Sequence, residues 1–277
     1  MTQQALRFKP ARAGSDWGVR AAAFTYLTVM LILPLAIIVQ DGLRGGIGSI
    51  VQVLAQPVAW NALLLSLWTA AVMAAINAVM GTLTAFVLVR YQFPGKALLN
   101  ALVDLPFAIP TLVTGVMLVV LYGPQRALGA WLNQNLGIKI IFAPPGIILA
   151  LLFITFPFVT RAVQPVLAAL DRDQEEAAAT MGASRLMILR RVVLPALAMP
   201  LATGALLSFA RAIGEFGAIV IVAGNIPLRT QTAAVFVYGE IESANQRAAT
   251  AMSVVMLLIA FSLVVLVDYL QRGRNDA

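Results

Sequence analysis

Two oppositely charged residues stand four positions apart in an apolar stretch of the chain. They are Arg211 and Glu215, in the segment SFARAIGEFGAIVIVAG. At this spacing on a helix the two side chains share one face, so they could simply neutralise each other. Alternatively, this face lines the route of an anion and Glu215 holds Arg211 in place, because ionisable groups inside a membrane span are costly and commonly functional. The residues themselves leave both interpretations open.

A second polar position lies in the segment DLPFAIP. Asp104 opens it, and an acid near the start of a helix is favoured by the helix dipole. Pro106 and Pro110 predict a kink or interruption, since proline donates no backbone hydrogen bond, and the freed backbone groups could face a pathway. Arg161, in another apolar run, is expected to extend towards the membrane surface.

The most highly charged segment runs from residue 171 to residue 195, between two apolar runs. It holds four of the twelve acidic and four of the nineteen basic residues. The acids cluster at the start of a run of helix formers, and Gly182 stands where a helix-ending glycine is common. Ser184 can begin a second helix, and Pro195 indicates a change of direction. The segment therefore predicts two short helices joined by a sharp turn, outside the lipid.

The composition argues against several kinds of chemistry. The chain has no cysteine and no histidine, which excludes thiol catalysis and argues against zinc, haem and histidine acid–base sites. Its sole Gly-Lys pair, Gly95-Lys96, is followed by Ala97, so the phosphate-binding P-loop of an ATPase is missing. We expect a chain that is not itself an enzyme and that holds no metal or cofactor of its own.

The apolar content predicts an all-α integral membrane protein. Hydrophobic residues make up 61% of the chain, charged residues only 11%, and the mean hydropathy is +0.90, whereas soluble domains are about a quarter charged. Six apolar runs reach the ~20 residues that cross a bilayer as helix. The predicted spans are residues 21–40, 61–89, 98–121, 146–167, 196–222 and 248–270.

The distribution of basic residues predicts the orientation. Twelve of the nineteen lie in 1–20, 90–97, 168–195 and 271–277, and five lie in the loops on the other side. Cytoplasmic loops carry such an excess, so both termini and the charged segment are placed in the cytoplasm, and the high pI does not indicate nucleic-acid binding. The predicted division is a tail at 1–20, one membrane domain at 21–270 and a tail at 271–277. We expect the first apolar run to be retained as a membrane span and not removed as a signal peptide.

The loops of the opposite side differ in composition. Residues 41–60 contain four glycines and predict a flexible tract. Residues 122–145 carry leucine and tryptophan at helical spacing and predict a helix lying on the membrane surface.

The charged segment resembles a motif of the membrane subunits of binding-protein-dependent ABC importers. The motif reads E-A-A, three residues, G, nine residues, I-x-L-P. It is matched by Glu176-Ala177-Ala178, by Gly182 and, with Val192 replacing isoleucine, by Leu194 and Pro195. The resemblance implies a coupling helix between spans 4 and 5 that docks on a cytoplasmic ATPase. Its contact residues would come from Glu175, Glu176, Ala177, Ala178, Gly182, Leu194 and Pro195.

The same resemblance implies the partners. They are two ATPase subunits that bind ATP and Mg²⁺, a second related permease chain and an extracytoplasmic binding protein, assembled in the inner membrane of a bacterium. ATP-driven closure of the ATPases would rock two permease chains between inward-facing and outward-facing states.

Two further stretches are similar to permeases for oxyanions, namely DLPFAIPTLVTG and ARAIGEFGAIVIVAGNIPLRTQT. Chain length and the segment GEIESANQRAATAMSVVMLLIAF are more similar to sulfate/thiosulfate permeases than to molybdate or tungstate permeases. The candidate pathway residues are then Arg211, Glu215, Asp104, Pro106 and Pro110. The alternatives are a secondary transporter driven by an ion gradient, for which Glu215 is the one suitable intramembrane acid, and a membrane-embedded enzyme, for which no catalytic constellation is visible.

Overall fold

The computed structural model describes residues 17–275, and within that range every regular element is a helix. Arg7, Lys9 and Arg12 of the predicted N-terminal tail and the last two residues of the chain lie outside it. The helices follow from the apolar runs, because backbone groups in lipid must be bonded within their own segment. In chain order the α-helices are α1 (Trp17–Leu27), α2 (Leu33–Leu43), α3 (Gly46–Leu54), α4 (Pro57–Arg90), α5 (Lys96–Ala108), α6 (Thr111–Tyr122), α7 (Ala127–Leu136), α8 (Pro144–Ala169), α9 (Arg172–Thr180), α10 (Arg185–Ile188), α11 (Leu194–Ile213), α12 (Gly217–Val222), α13 (Ala233–Glu242) and α14 (Gln246–Asn275).

Five helical stretches of the described residues are long and apolar enough to cross a bilayer, and the bent pair α5–α6 makes a sixth if it is counted as one span. The prediction of an all-α membrane protein with six spans is therefore confirmed. The five stretches are Trp17–Leu43, Pro57–Arg90, Pro144–Ala169, Arg185–Ile213 and Gln246–Tyr269.

Helix α4 is the central element of the bundle. Its 34 residues include no charged side chain before the last one, Arg90, and Pro57 stands in its first turn, where a missing N–H costs nothing. Thirteen of its residues are buried, so the helix packs against protein along most of its length, while other residues such as Trp68 and Val79 are exposed. Small residues such as Gly81 allow this close packing: a Cβ there would lie 2.9 Å from Val159 of α8.

Three apolar clusters follow one another along α4. Cluster 1 lies near its start and joins α3, α13 and α14, for example through Phe236 and Met252. Cluster 2 surrounds Met73 in the middle and joins α8, α11 and α12. Cluster 3 surrounds Ala85 near its end and joins α8 to the start of α11. We call the side with cluster 3, where α9 also lies, the α9 end of the bundle, and the opposite side the far end.

The third span is broken, as the two prolines predict. Helices α5 and α6 meet at 111° across two residues. Pro106 is accommodated within α5, while Ile109 is extended (φ −85°, ψ 127°) directly before Pro110. Proline disfavours helical geometry in the residue that precedes it, so the break falls at Ile109–Pro110.

The predicted fifth span, 196–222, is wrong at both ends. Helix continues backward through Pro195 to Arg185, so Pro195 marks no change of direction. A π-helical turn over Leu189–Val193, in which the N–H of Leu194 donates to the carbonyl of Leu189, widens the helix just before the proline ring. At the other end α11 stops at Ile213, and α12 begins only at Gly217.

Two loop predictions have different outcomes. The predicted flexible tract at 41–60 is wrong, because α2 continues to Leu43 and residues 46–54 form α3, whose Ser49 and Val53 are buried. The predicted helix within 122–145 is present as α7, and its position on the membrane surface stays a prediction.

Candidate functional site

Helix α9 is closed by local hydrogen bonds at both ends. The Asp171 side chain accepts from the N–H of Asp173 at 3.0 Å, which caps the first turn. At the other end Gly182 has φ +86°, its N–H donates to Ala179 and the next N–H, of Ala183, donates to Ala178. This is the Schellman pattern, which ends a helix sharply.

The second helix of the loop begins immediately after this turn. The Ser184 hydroxyl accepts from the N–H of Met187 at 3.3 Å, as the sequence predicts. Helix α10, the π-helical turn and α11 then form one continuous stretch. The predicted second short helix is therefore the first part of span five.

The predicted coupling residues differ in exposure. Glu176, Ala177, Gly182, Leu194 and Pro195 are exposed, with the last two already in the first turn of α11. Glu175 and Ala178 are half-buried and share the face of α9 that lies against the bundle.

Apolar side chains beside this loop point outward. Met181, at the end of α9, is 83% exposed, and Leu186 and Met187 of α10 are exposed as well. A groove of about 430 Å³ lies between these two helices, with Ala178 and Val192 on its walls. Large exposed apolar residues around a charged helix are typical of a surface that binds another protein.

Arg211 and Glu215 form an ion pair, with 2.9 Å between Nη1 and Oε2. The pairing is the predicted one, but the geometry is not that of one helix face, because Glu215 lies in the break after α11. Glu215 is 2% exposed, and its second oxygen accepts from the N–H of Ala218 at 3.1 Å, in the first turn of α12. Arg211 is 39% exposed. The buried carboxylate thus holds a cation whose other side is accessible.

The break after α11 lies against the break in the third span. A Cβ on Gly217 would collide with the hydroxyl of Thr111, the first residue of α6, and a Cβ on Gly115 would lie 2.9 Å from the Ala218 carbonyl. The structure therefore brings Arg211 and Glu215 close to the segment that follows Pro110. Interrupted spans that meet in this way build the binding sites of many transporters.

Asp104 and Arg161 form a second ion pair. Asp104 is the ninth residue of α5 rather than part of its first turn, so it does not serve the helix dipole as one interpretation proposed. Arg161 of α8 donates to both carboxylate oxygens, from Nε at 2.7 Å and from Nη2 at 2.6 Å, and Nη1 donates to the Asn100 side chain at 2.9 Å. Arg161 is thus bound to two residues of α5, and its extension towards the membrane surface stays a prediction. Pro106 follows Asp104 by two residues and lies beside a cavity of about 550 Å³.

Sequence reasoning missed three features of these sites. The pairing of Arg161 with Asp104 joins residues 57 positions apart, and Arg90, counted only as a basic residue near the membrane surface, pairs with Glu175 across 85 positions. The break after α11 was also missed, although Gly214 and Gly217 flank Glu215 and could have indicated it.

Comparison with known proteins identifies the family. The model described as "Binding-protein-dependent transport system inner membrane component" matches residues 77–276. The chain is 41% identical over 255 residues to the probable sulfate transport system permease protein cysT of Nephroselmis olivacea, which covers 92% of this chain and 89% of that protein. It is 40% identical over 259 residues to the sulfate transport system permease protein CysW of Synechocystis sp., which covers 93% of this chain and 94% of that protein.

A solved structure shows the same fold. It is a bacterial ABC transporter involved in the import of the acidic polysaccharide alginate, with a TM-score of 0.75 at 16% identity, covering 93% of this chain and 96% of that chain. The residues that match the family model include helix α9. The relatives align with almost the whole sequence. The chain belongs to the family of inner membrane components of binding-protein-dependent transport systems.

Proposed function

We propose that this chain is the permease subunit of an ABC importer for sulfate or thiosulfate. The observation that carries the proposal is α9, a short capped helix between spans four and five that presents Glu176 and Ala177 to solvent. Relatives named as sulfate permeases align along almost the whole chain, which favours sulfate over molybdate or tungstate. An ion-coupled secondary transporter is disfavoured, because the carboxylates of Glu215 and Asp104 both form ion pairs with arginines and are not free to bind a coupling ion.

The proposed assembly contains two copies of an ATPase, a second permease chain and an extracytoplasmic sulfate-binding protein. ATP and Mg²⁺ bind to the ATPases, and this chain supplies no hydrolytic site. Similar identity to relatives named CysT and CysW favours a pair of two different but related permeases. The α9 end faces the cytoplasm of a bacterial cell in this arrangement, and both termini lie on that side.

The proposed role of α9 is mechanical. Docking of Glu176, Ala177, Gly182 and exposed Met181 in a groove of the ATPase transmits ATP-driven closure to the bundle, which rocks as a rigid body. The exposed apolar surface next to the charged helix supports such a contact.

The proposed anion route passes Arg211. Its accessible guanidinium offers hydrogen-bond donors and positive charge to an oxyanion, and buried Glu215 keeps it in place. The meeting of two interrupted spans beside it supports this position, because unwound backbone there can contribute further donors. A single cation binds the anion only weakly, and weak binding allows the anion to leave the site quickly.

The test is uptake of labelled sulfate by cells that lack this chain and by cells in which it is restored, each with and without excess unlabelled molybdate. Uptake that depends on the chain and resists molybdate supports a sulfate permease. Uptake that molybdate abolishes would assign the chain to the molybdate branch, and uptake independent of the chain would overturn the proposal.

Docking is tested separately with Glu176→Lys. This variant should insert in the membrane normally but lose uptake and fail to co-purify with the ATPase. Gln174→Lys, also exposed on α9, is the matched control and should retain both properties. Normal uptake by Glu176→Lys would contradict the docking role.

A further inference from the structure

Arg90, the last residue of α4, forms an ion pair with Glu175 in the first turn of α9. The Nη2 atom of Arg90 donates to Oε1 of Glu175. Both side chains lie largely inside the protein, with 10% of Arg90 and 25% of Glu175 exposed. The pair therefore joins the central helix of the bundle directly to the proposed coupling helix.

Little else in the described residues fixes α9 to the bundle. The helix has no buried residue, and its remaining side-chain hydrogen bonds are local, from the N–H of Asp173 to Asp171 and from Thr180 to the Ala177 carbonyl. Helix α10 is attached differently, because Ile188 packs on cluster 3. The orientation of α9 relative to the spans thus depends mainly on one polar contact.

The burial of Arg90 makes this contact strong. Its Nε atom is buried and has no partner, so Glu175 is the acid that compensates the guanidinium charge. Attraction between charges grows as water is excluded, and a partly buried cation without its partner is strongly disfavoured. Arg90 therefore favours conformations in which Glu175 and the start of α9 stay against α4.

We propose that Arg90 is a positioning residue that locks α9 to α4, so that displacement of the coupling helix moves α4 with it. This inference rests on the proposed function, because it takes α9 to be the element that the ATPase moves. It assigns different roles to two adjacent acids: Glu176 faces outward to the ATPase, and Glu175 faces inward to Arg90. Without the pair, α9 would still dock but would move independently of the spans.

The lock is tested by reversing its charges. Arg90→Glu, Glu175→Arg and the double variant with both changes are reconstituted in proteoliposomes with the second permease, the ATPase and the binding protein, and sulfate transported per ATP hydrolysed is measured. Arg90→Glu should still co-purify with the ATPase and hydrolyse ATP. In both single variants the amount of sulfate transported per ATP should fall about tenfold, which lies within the range that typical coupling energies produce. The double variant should recover most of the loss.

Arg172→Glu is the matched control, since Arg172 is an exposed charge of the same helix without an ion-pair partner in the described residues. Its transport per ATP should equal that of the unaltered chain. The lock is refuted if the single variants keep normal transport per ATP, or if the double variant is no better than the singles.

A second measurement needs neither sulfate nor the ATPase, and so distinguishes failure of the lock from failure of the proposed function. The chain contains no cysteine, which allows spin labels at Ala179→Cys on α9 and Leu83→Cys on the exposed side of α4 without further changes. The distance distribution between the labels should be narrow in the unaltered full chain, broader in Arg90→Glu and narrow again in the charge-reversed double variant. An unchanged width in Arg90→Glu would overturn the proposal even if the chain transports sulfate.

Discussion

Arg161 binds Asp104 through two parallel hydrogen bonds, one from Nε to Oδ1 at 2.7 Å and one from Nη2 to Oδ2 at 2.6 Å. The pair connects α8 to the first half of the broken span. Because α5 and α6 are joined only by an extended Ile109–Pro110 segment, this contact helps to fix the angle at which α5 leaves the break.

Arg161→Lys should destabilise the protein although it keeps the charge. Lysine cannot reproduce the planar pair of donors, so we expect a loss of about 1 kcal/mol, limited by the partial exposure of the pair. The midpoint of thermal unfolding in detergent measures this loss. Asp41→Asn, which breaks the exposed pair of Arg44 and Asp41, is the control and should leave the midpoint unchanged.

Gly182→Ala should weaken the end of α9. A Cβ at this position meets no atom within 4 Å, so the cost comes from the left-handed backbone, φ +86°, and amounts to about 1 kcal/mol. Fraying of α9 should reduce the amount of ATPase that co-purifies with the chain. Gly48→Ala, in ordinary helical geometry with free space, should have no such effect, and an equal loss in both variants would contradict this account.

Gly217→Ala should separate the two broken spans. Its methyl group would collide with the hydroxyl of Thr111, and overpacking of this kind costs about 1–3 kcal/mol. Combining it with Thr111→Ala removes the colliding atom and should restore part of the thermal stability. Gly214→Ala meets nothing within 4 Å and should be tolerated. If the double variant is no more stable than Gly217→Ala alone, the close contact is not the cause.

Arg211→Ala distinguishes the two interpretations of the ion pair. The change leaves the buried carboxylate of Glu215 without its cation, and we expect a loss of about 2 kcal/mol together with a loss of sulfate uptake. Adding Glu215→Gln removes the unpaired charge and keeps an acceptor for the N–H of Ala218, so thermal stability should return.

Uptake is the decisive measurement in that double variant. It should remain low if Arg211 contacts the anion, because the cation is still missing. Recovery of uptake together with stability would mean that the two residues only neutralise each other. Thermal stability and uptake are measured for the same variants, so a loss of uptake can be distinguished from a loss of stability.

The sequence predicts the spans well because crossing a bilayer demands about 20 apolar residues, a requirement visible in any single run. It also predicts the turn between α9 and α10, because Gly182 and Ser184 act on backbone groups close to themselves in the chain. The break at Ile109–Pro110 is predictable for the same reason, since proline restricts its neighbour directly.

The features that the sequence did not predict depend on contacts between residues far apart in the chain, or on a local distortion of the helix that accommodates a proline. The pairs of Arg161 with Asp104 and of Arg90 with Glu175 join different helices, and no local pattern encodes them. Pro195 predicts a turn, but the π-helical turn before it accommodates the ring within one helix. Apolar residues continue on both sides of the break at Glu215, so the mean hydropathy of the segment does not reveal the break.

Helix α4 has one property that follows from its length. Its 34 residues extend about 50 Å, well beyond the ~30 Å of bilayer hydrocarbon. Near its start the Ser66 hydroxyl accepts from the N–H of Ala233, the first residue of α13, at 2.8 Å, and at its last residue Arg90 binds Glu175. The helix is thus tied to another element at two positions that lie about 36 Å apart along its axis. Because a helix is stiff, a tilt imposed at Arg90 displaces Ser66 directly, without a series of side-chain rearrangements through the bundle.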